Sequence, residues 1–294
     1  MKTEVKWILE DYLWEDGSIE RFEASLKKIG CRCIKFSPED SRNGRISIDG
    51  VPDREDCVVF YGSLETAKNV IKTRPWIPGA FYTPENYRCC KYYPVFGKYL
   101  LNGDRYGIYP YGELLRMKDL IFEAFGEDRA IFIRPDDGEK SFTGQLILKE
   151  NYEKDVGFCG FYGINPEALV VVSAPKNIVA EWRFFIGEGK VIAGSLYKNW
   201  SGSVRVPEVE EGARAFADSV CGLYSPDGMW VLDICKVASR NYYVLEIGCM
   251  SCAGIYACDT DKIAEVATRV AIKEFEAVIK IDEEMDKYDK EKES

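Results

Sequence analysis

VLDICKVASRNYYVLEIGCMSCAGIY, residues 231–256, decides how this chain is read. Two apolar runs, Val231 to Cys235 and Tyr242 to Ile247, each carry one acid, Asp233 and Glu246. Side chains alternate faces along a strand, so each acid shares a face with apolar neighbours. A buried lone carboxylate is costly unless it is paired or holds a metal. The polar segment Lys236 to Asn241 predicts a turn, and the hairpin it closes brings the two acids together. Oxygen ligands of this kind suit Mg2+. The alternative is two edge-strand acids facing water.

On the N-terminal side, residues 1 to 75 alternate between strand and helix patterns. VKWILE (5–10), Cys31 to Phe36 and CVVFY (57–61) read as strands. Ser18 is read as the cap of a helix with Ile19, Phe22, Leu26 and Ile29 on one face and Gly30 as its stop. Ile46 and Ile48 suggest a small hairpin arm over 42–51. After Gly62-Ser63 a second helix carries Leu64, Ala67, Val70 and Ile71, and a helix cap is the favoured role for Ser63 over an anion site. This order predicts a small, mostly parallel sheet. Residues 76–112, rich in Tyr, Phe, Pro and Gly, read as an aromatic packing seam connecting two domains.

Between these regions lie a helix, Glu113 to Phe125, and then IFIRPDDGEKSFTG (131–144), a strand running into a polar loop that can fold over phosphates. VVVS (170–173) follows, then EWRFFIGEGKVIAGSLYK (181–198). The latter is a hairpin with Glu181 and Arg183 on one face and Trp182 and Phe184 on the other. Helices are expected over 213–223 and from Asp259 or Thr260 to about 282, with a fraying polar tail beyond.

Composition removes several chemistries. The chain has 294 residues, 11 cysteines and no histidine, so Ser-His-Asp and Cys-His catalysis are excluded and acid–base work falls to other groups. An odd cysteine count without a signal peptide predicts reduced thiols and a cytoplasmic location. Cys249 and Cys252 form a CxxC, read as small apolar residues rather than a redox or metal pair. A net charge of −10 argues against a general nucleic-acid or anionic-membrane surface. No run approaches the length of a membrane span.

Taken in this order, 131–144, 170–198 and 232–256 resemble three motifs of the ATP-grasp superfamily, most like its small stand-alone phage and bacterial members. The resemblance implies an α/β (α+β) fold in which two α+β subdomains clasp ATP, preceded by a small Rossmann-like domain. Residues 1–98 take the place of that leading domain, 99–282 of the ATP-grasp domain, and 283–294 are a charged tail. The implied activity is a Mg2+-dependent carboxylate–amine ligase that uses ATP and joins small-molecule or peptide substrates through an acyl phosphate. The implied ATP site comprises Arg116, Arg134, Lys140, Val171, Val172, Ser173, Glu181, Arg183 and Lys198. Arg134 and Arg183 would be catalytic, Asp233 and Glu246 would hold metal, and Arg240 would orient substrate. Two departures stand out: Arg134 replaces the usual lysine, and Gly248 replaces the usual Asn two residues after Glu246, with Ser251 or water as a substitute ligand. They leave room for a binding module without turnover, or for a phosphotransferase.

Overall fold

A computed structural model describes residues 3–11, 17–37, 56–103, 105–126, 129–139, 141–160 and 163–293. The hairpin arm expected over 42–51 and Lys140 lie outside the described residues. Among the described residues the strands form three sheets.

The first sheet is built from β1 (Val5–Glu10), β2 (Arg32–Phe36), β3 (Cys57–Tyr61) and β4 (Ile77–Gly79), in the order β2-β1-β3-β4 and parallel throughout. Parallel sheets need cover on both faces, which is why β3 reads as an unbroken apolar run and β1 as one broken only by Lys6 and Glu10. Val5, Trp7 and Leu9 share a core with Ile19, Phe22 and Leu26 of α1 (Ser18–Lys28). Ile8, Val58 and Phe60 share another with Ala67 and Val70 of α2 (Leu64–Thr73). Ser63 is the cap that the sequence predicts: its hydroxyl accepts from the Thr66 N–H at 3.2 Å. Glu10 accepts from both the Ser63 N–H and hydroxyl at 2.8 Å. Gly62 allows that approach, since a Cβ there would lie 2.5 Å from Glu10 and Phe60. Ser18, by contrast, is not a cap. It is the first helical residue, and Gly17 precedes it at φ +71 without a side-chain cap.

The segment 76–112 holds more regular structure than a connection. It contains α3 (Cys89–Phe96) and β5 (Tyr106–Pro110). The aromatic seam is present: Tyr93 meets Tyr92 at 5.1 Å and Tyr106 at 4.9 Å between ring centroids.

The second sheet has the antiparallel order β5-β8-β6-β7, with β6 (Ala130–Pro135), β7 (Gln145–Leu148) and β8 (Leu169–Ser173). α4 (Lys118–Phe125) and α5 (Tyr152–Gly160) cover the face bearing Ile131, Ile133, Val170 and Val172. The helix expected from Glu113 starts at Lys118. The Met117 N–H is shared between the Glu113 and Leu114 carbonyls at 3.1 Å each, and the Tyr152 hydroxyl donates to the Leu114 carbonyl at 2.6 Å, so the chain turns here before the regular helix begins.

The third sheet runs β11-β10-β9-β12-β13: β9 (Ile178–Gly187), β10 (Lys190–Asn199), β11 (Gly202–Val206), β12 (Met229–Val237) and β13 (Tyr242–Cys249). On one face, Trp182, Phe184 and Leu232 share a core with Ala213, Ala217 and Val220 of α6 (Glu211–Val220). On the other, Phe185, Met229 and Val231 share a core with Ile263, Ala267 and Val270 of α7 (Thr260–Glu293). That face is dry under α7, and toward its other end it carries Glu181, Arg183 and Asp233. The tail expected to fray continues α7 to Glu293, consistent with its run of helix-forming Glu and Lys. No described helix is long and apolar enough to cross a membrane.

Candidate active site

A cleft of about 820 Å³ opens between the second and third sheets. One wall is Phe132, Arg134 and the loop residues Asp137, Phe142, Thr143 and Gly144; the other is Glu181, Arg183, Tyr197, Asp233 and Glu246. The linker from β8 to β9 closes one end with Ala174, Pro175 and Lys176, joined by Ile178 at the start of β9.

Register explains why the charges meet. Asp233 on β12 lies opposite Glu246 on β13 and opposite Arg183 on β9. Arg183 donates from Nε to Asp233 Oδ1 at 2.9 Å and from Nη2 to Oδ2 at 2.7 Å, a two-pronged pair. Its Nη1 donates to the Gly254 carbonyl at 3.3 Å. Asp233 is only 1% exposed. Burial works against the charge of Arg183, and the Asp233 carboxylate more than restores it, holding the guanidinium well above its ordinary value.

Two bulges bring further side chains to the cleft. In β10 the pairing steps from Leu196 to Lys198, which leaves Tyr197 as the extra residue. In β13 it steps from Val244 to Glu246 and leaves Leu245. A bulge lets neighbouring residues that would otherwise alternate face the same way. Lys198 Nζ lies 2.8 Å from Glu181 Oε1, and the Tyr197 hydroxyl donates to Glu181 Oε2 at 2.8 Å. Burial, then the Asp233 and Glu181 carboxylates, push the Tyr197 phenol far above its ordinary value, so it stays a donor. The Tyr197 ring stacks on Tyr256 at 5.0 Å, and Arg183 sits over both rings at 5.6 and 5.1 Å.

From the opposite sheet, Arg134 Nη2 donates to Glu246 Oε2 at 2.9 Å. This pair crosses the cleft, and its side chains are 18% and 26% exposed. Gly144 lies against Phe132, where a Cβ would come within 2.8 Å of the ring.

The structure therefore brings Arg134, Glu181, Arg183, Lys198, Asp233 and Glu246 into one cleft. Other expected residues fall elsewhere. Arg116 is largely exposed beside Glu113, in the turn before α4. Arg240 sits in the β12–β13 turn at φ +69, outside the cleft lining. Val171, Val172 and Ser173 are buried rather than lining the cleft: Val172 points under α4 and α5, and Val171 joins the main core. The next residues, Ala174 to Lys176, form that edge instead. Ser251, offered as a substitute ligand, is fully buried and accepts the Phe81 N–H at 2.9 Å, so its oxygen holds the first sheet to the third. Cys249 and Cys252 form no disulfide, and Cys252 Sγ lies 3.6 Å from the Ser63 carbonyl. Sequence reasoning missed Tyr197, Tyr256 and Leu245. Alternation alone misplaces a bulged residue, and the only local signal was the aromatic next to Lys198.

Asp233 and Glu246 fit a hard divalent cation by donor chemistry, two carboxylates opposite one another on adjacent strands. Among the described residues no group of three or more acids, cysteines or histidines is arranged to hold a metal.

No curated protein sequence matches the chain. Several solved structures share its fold. The crystal structure of D-cycloserine synthetase DcsG is 15% identical with a TM-score of 0.63, covering 90% of this chain and 99% of that one. D-alanyl-alanine synthetase A from Vibrio cholerae O1 biovar eltor is 11% identical with a TM-score of 0.61, covering 94% and 99%. The ATP-grasp ligase PsnB, complexed with precursor peptide PsnA2 and AMPPNP, is 12% identical with a TM-score of 0.55, covering 92% and 98%. A family model described as "ATP-grasp domain, R2K clade family 2" matches residues 114–266, more than half of the sequence. The chain belongs to this ATP-grasp family and has its fold.

Proposed function

We propose that the protein is an ATP-dependent carboxylate–amine ligase acting on an amino acid or peptide. The observation that carries this reading is the meeting of two arginines and two acids in one cleft, Arg183 with the buried Asp233 and Arg134 with the part-exposed Glu246. A nucleoside triphosphate with a divalent cation is the chemical complement of such a set. Arg183 would bind phosphate oxygens in the fork geometry that now meets Asp233, and Arg134 would bind them with the guanidinium that now meets Glu246. Asp233 and Glu246 would hold Mg2+, whose charge offsets that of the phosphates. Lys140 and Lys198 add positive charge. Glu181 would accept the ribose hydroxyls, and the linker after Ser173 would wall the base. Arg116 and Arg240, outside the cleft, take no part in this reading.

In the reaction, a substrate carboxylate oxygen attacks the γ-phosphorus and the bond to ADP breaks, giving an acyl phosphate. An amine then attacks the acyl carbon, phosphate leaves, and the amine proton passes to solvent. Arg183 would offset charge on the transferring group. The chemistry is mostly positioning and charge stabilisation, which suits a chain without histidine. The names of the similar structures, a D-cycloserine synthetase, a D-alanyl-alanine synthetase and an ATP-grasp ligase with its precursor peptide, support the substrate class. Residues 1–98 would form the leading domain and 99–282 the nucleotide-clasping unit.

A second reading is a nucleotide-binding module without turnover. Gly248 supplies no side-chain ligand beside Glu246, and the two acids have no third among the described residues. Thermal unfolding with ATP, with and without Mg2+, tests nucleotide binding in both readings. Ligand at 100 times its dissociation constant adds about 2.7 kcal/mol. Asp233→Asn and Glu246→Gln are expected to lose the Mg2+-dependent part. ADP release that requires both an added carboxylate and an amine separates the ligase from the module, and an absence of any nucleotide shift in wild type would sink both.

A further inference from the structure

Tyr197 is held by contacts that its place in a strand does not require. The β10 pairing to both β9 and β11 breaks at this residue. The break lets consecutive side chains, Tyr197 and Lys198, reach the two oxygens of one carboxylate, Glu181, each at 2.8 Å. The phenol has one proton to give. It lies 2.8 Å from Glu181 and 3.4 Å from Asp233, so Glu181 is the acceptor. The ring stacks on Tyr256 at an interplanar angle of 10°, and the Arg183 guanidinium lies beside the stack, 5.6 Å from one ring and 5.1 Å from the other.

We infer that Tyr197 is a positioning residue that fixes Glu181 as the acceptor for a nucleotide's sugar hydroxyls, and so sets selectivity for ribose. The inference rests on the nucleotide reading above. A carboxylate has about four acceptor positions, so Glu181 keeps lone pairs for two hydroxyl donors after taking one protein donor on each oxygen. Held on both oxygens, the carboxylate cannot swing away. Without the Tyr197 hydroxyl only Lys198 holds it, and that side chain is 53% exposed.

The test compares dissociation constants for ATP and 2′,3′-dideoxy-ATP, measured calorimetrically with Mg2+, on wild type, Tyr197→Phe, Tyr197→Leu and Lys198→Met. Hydrogen bonds to charged groups predict that wild type prefers ATP by roughly tenfold to a hundredfold. Tyr197→Phe keeps the ring stack, so its affinity for the dideoxy nucleotide stays within about twofold of wild type while the preference for ATP falls to about twofold, the hydroxyl hydrogen bond being lost. Tyr197→Leu also loses the stack and weakens both nucleotides. Lys198→Met changes a half-exposed residue, folds regardless of how Tyr197 variants behave, and lowers the preference part of the way. A Tyr197→Phe protein that keeps the full wild-type preference, or that weakens both nucleotides equally, overturns the inference. Wild type that binds both nucleotides equally overturns it too, while leaving the nucleotide reading intact. Wild type that binds neither overturns both.

Discussion

The two sheets facing each other across the cleft are built by different rules. The five-stranded sheet carries polar groups already bound to one another: Arg183 to Asp233 across adjacent strands, and Tyr197 and Lys198 to Glu181. The four-stranded sheet offers a largely apolar wall, Phe132 and Phe142, with one strong cation, Arg134. One ion pair thus lies within a sheet and the other spans the gap. Charges joined within a rigid element maintain the fold. Charges joined across a cleft hold two walls together, and a ligand can replace them.

The largest effect should follow from breaking the internal pair. Asp233→Ala leaves a buried guanidinium uncompensated, which costs about 3–5 kcal/mol. Urea denaturation would measure it. Arg183→Met combined with Asp233→Leu removes both charges and is expected to recover most of the loss. Arg134→Met, at the more exposed cross-cleft pair, should cost only about 1 kcal/mol, near the value for solvent-reached ion pairs. Equal losses at the two pairs would erase the distinction between the sheets.

The next effect concerns what stands behind the five-stranded sheet. The Ser251 hydroxyl accepts the Phe81 N–H, its carbonyl accepts the Gly62 N–H, and Tyr61 donates to the Ala253 carbonyl. These bonds tie the parallel sheet to the polar wall. Ser251→Ala strands a buried backbone N–H and should cost about 1–3 kcal/mol by the same denaturation measurement. Hydrogen exchange should quicken in β3 and at Phe81 and stay unchanged in β6 and β8. Equal quickening in the four-stranded sheet would show that the two walls are mechanically one.

Much of this architecture is legible in the sequence, and the reasons differ by region. The parallel sheet is readable because CVVFY and VKWILE are buried on both faces, which leaves CVVFY wholly apolar and VKWILE apolar but for Lys6 and Glu10. Asp233 and Glu246 are readable because an acid inside such a run demands a partner. The segment 89–110 is less readable, because Tyr92, Tyr93 and Phe96 with Pro94 among them mask the helical period of α3. VVVS looks like a pocket wall, whereas Val170, Val171 and Val172 are buried in the cores and Ala174 to Lys176 line the cleft. Tyr197 was hidden by a bulge, a backbone event that leaves no period in the side chains. Ser251, beside a CxxC, drew a ligand reading when its role is to accept a backbone N–H from another sheet.

The smallest expected effect sharpens the comparison from the back of the polar wall. Glu274 on α7 is pushed up to about 7 from an ordinary 4.5 by burial, then by the nearby Asp227, against a hydrogen bond from the Gly228 N–H. Gly228 permits the approach, because a Cβ there would stand 2.4 Å from the Glu274 carboxylate. The folded protein holds this proton more tightly than the unfolded chain does. The stabilising contribution of Glu274 is therefore complete below about pH 4.5 and is lost as pH rises to about 7. Glu274→Gln keeps a neutral side chain of the same shape and should flatten stability across that window, as read by melting temperature at half-unit pH steps. Asp227 itself is pushed up by burial and accepts from Thr83 and Tyr87, so a shallow slope should persist in the variant. A variant with the full wild-type slope would assign the pH dependence to Asp227 alone. The strain of buried charge behind β12 would then sit in the loop before the strand and not in the helix that covers it.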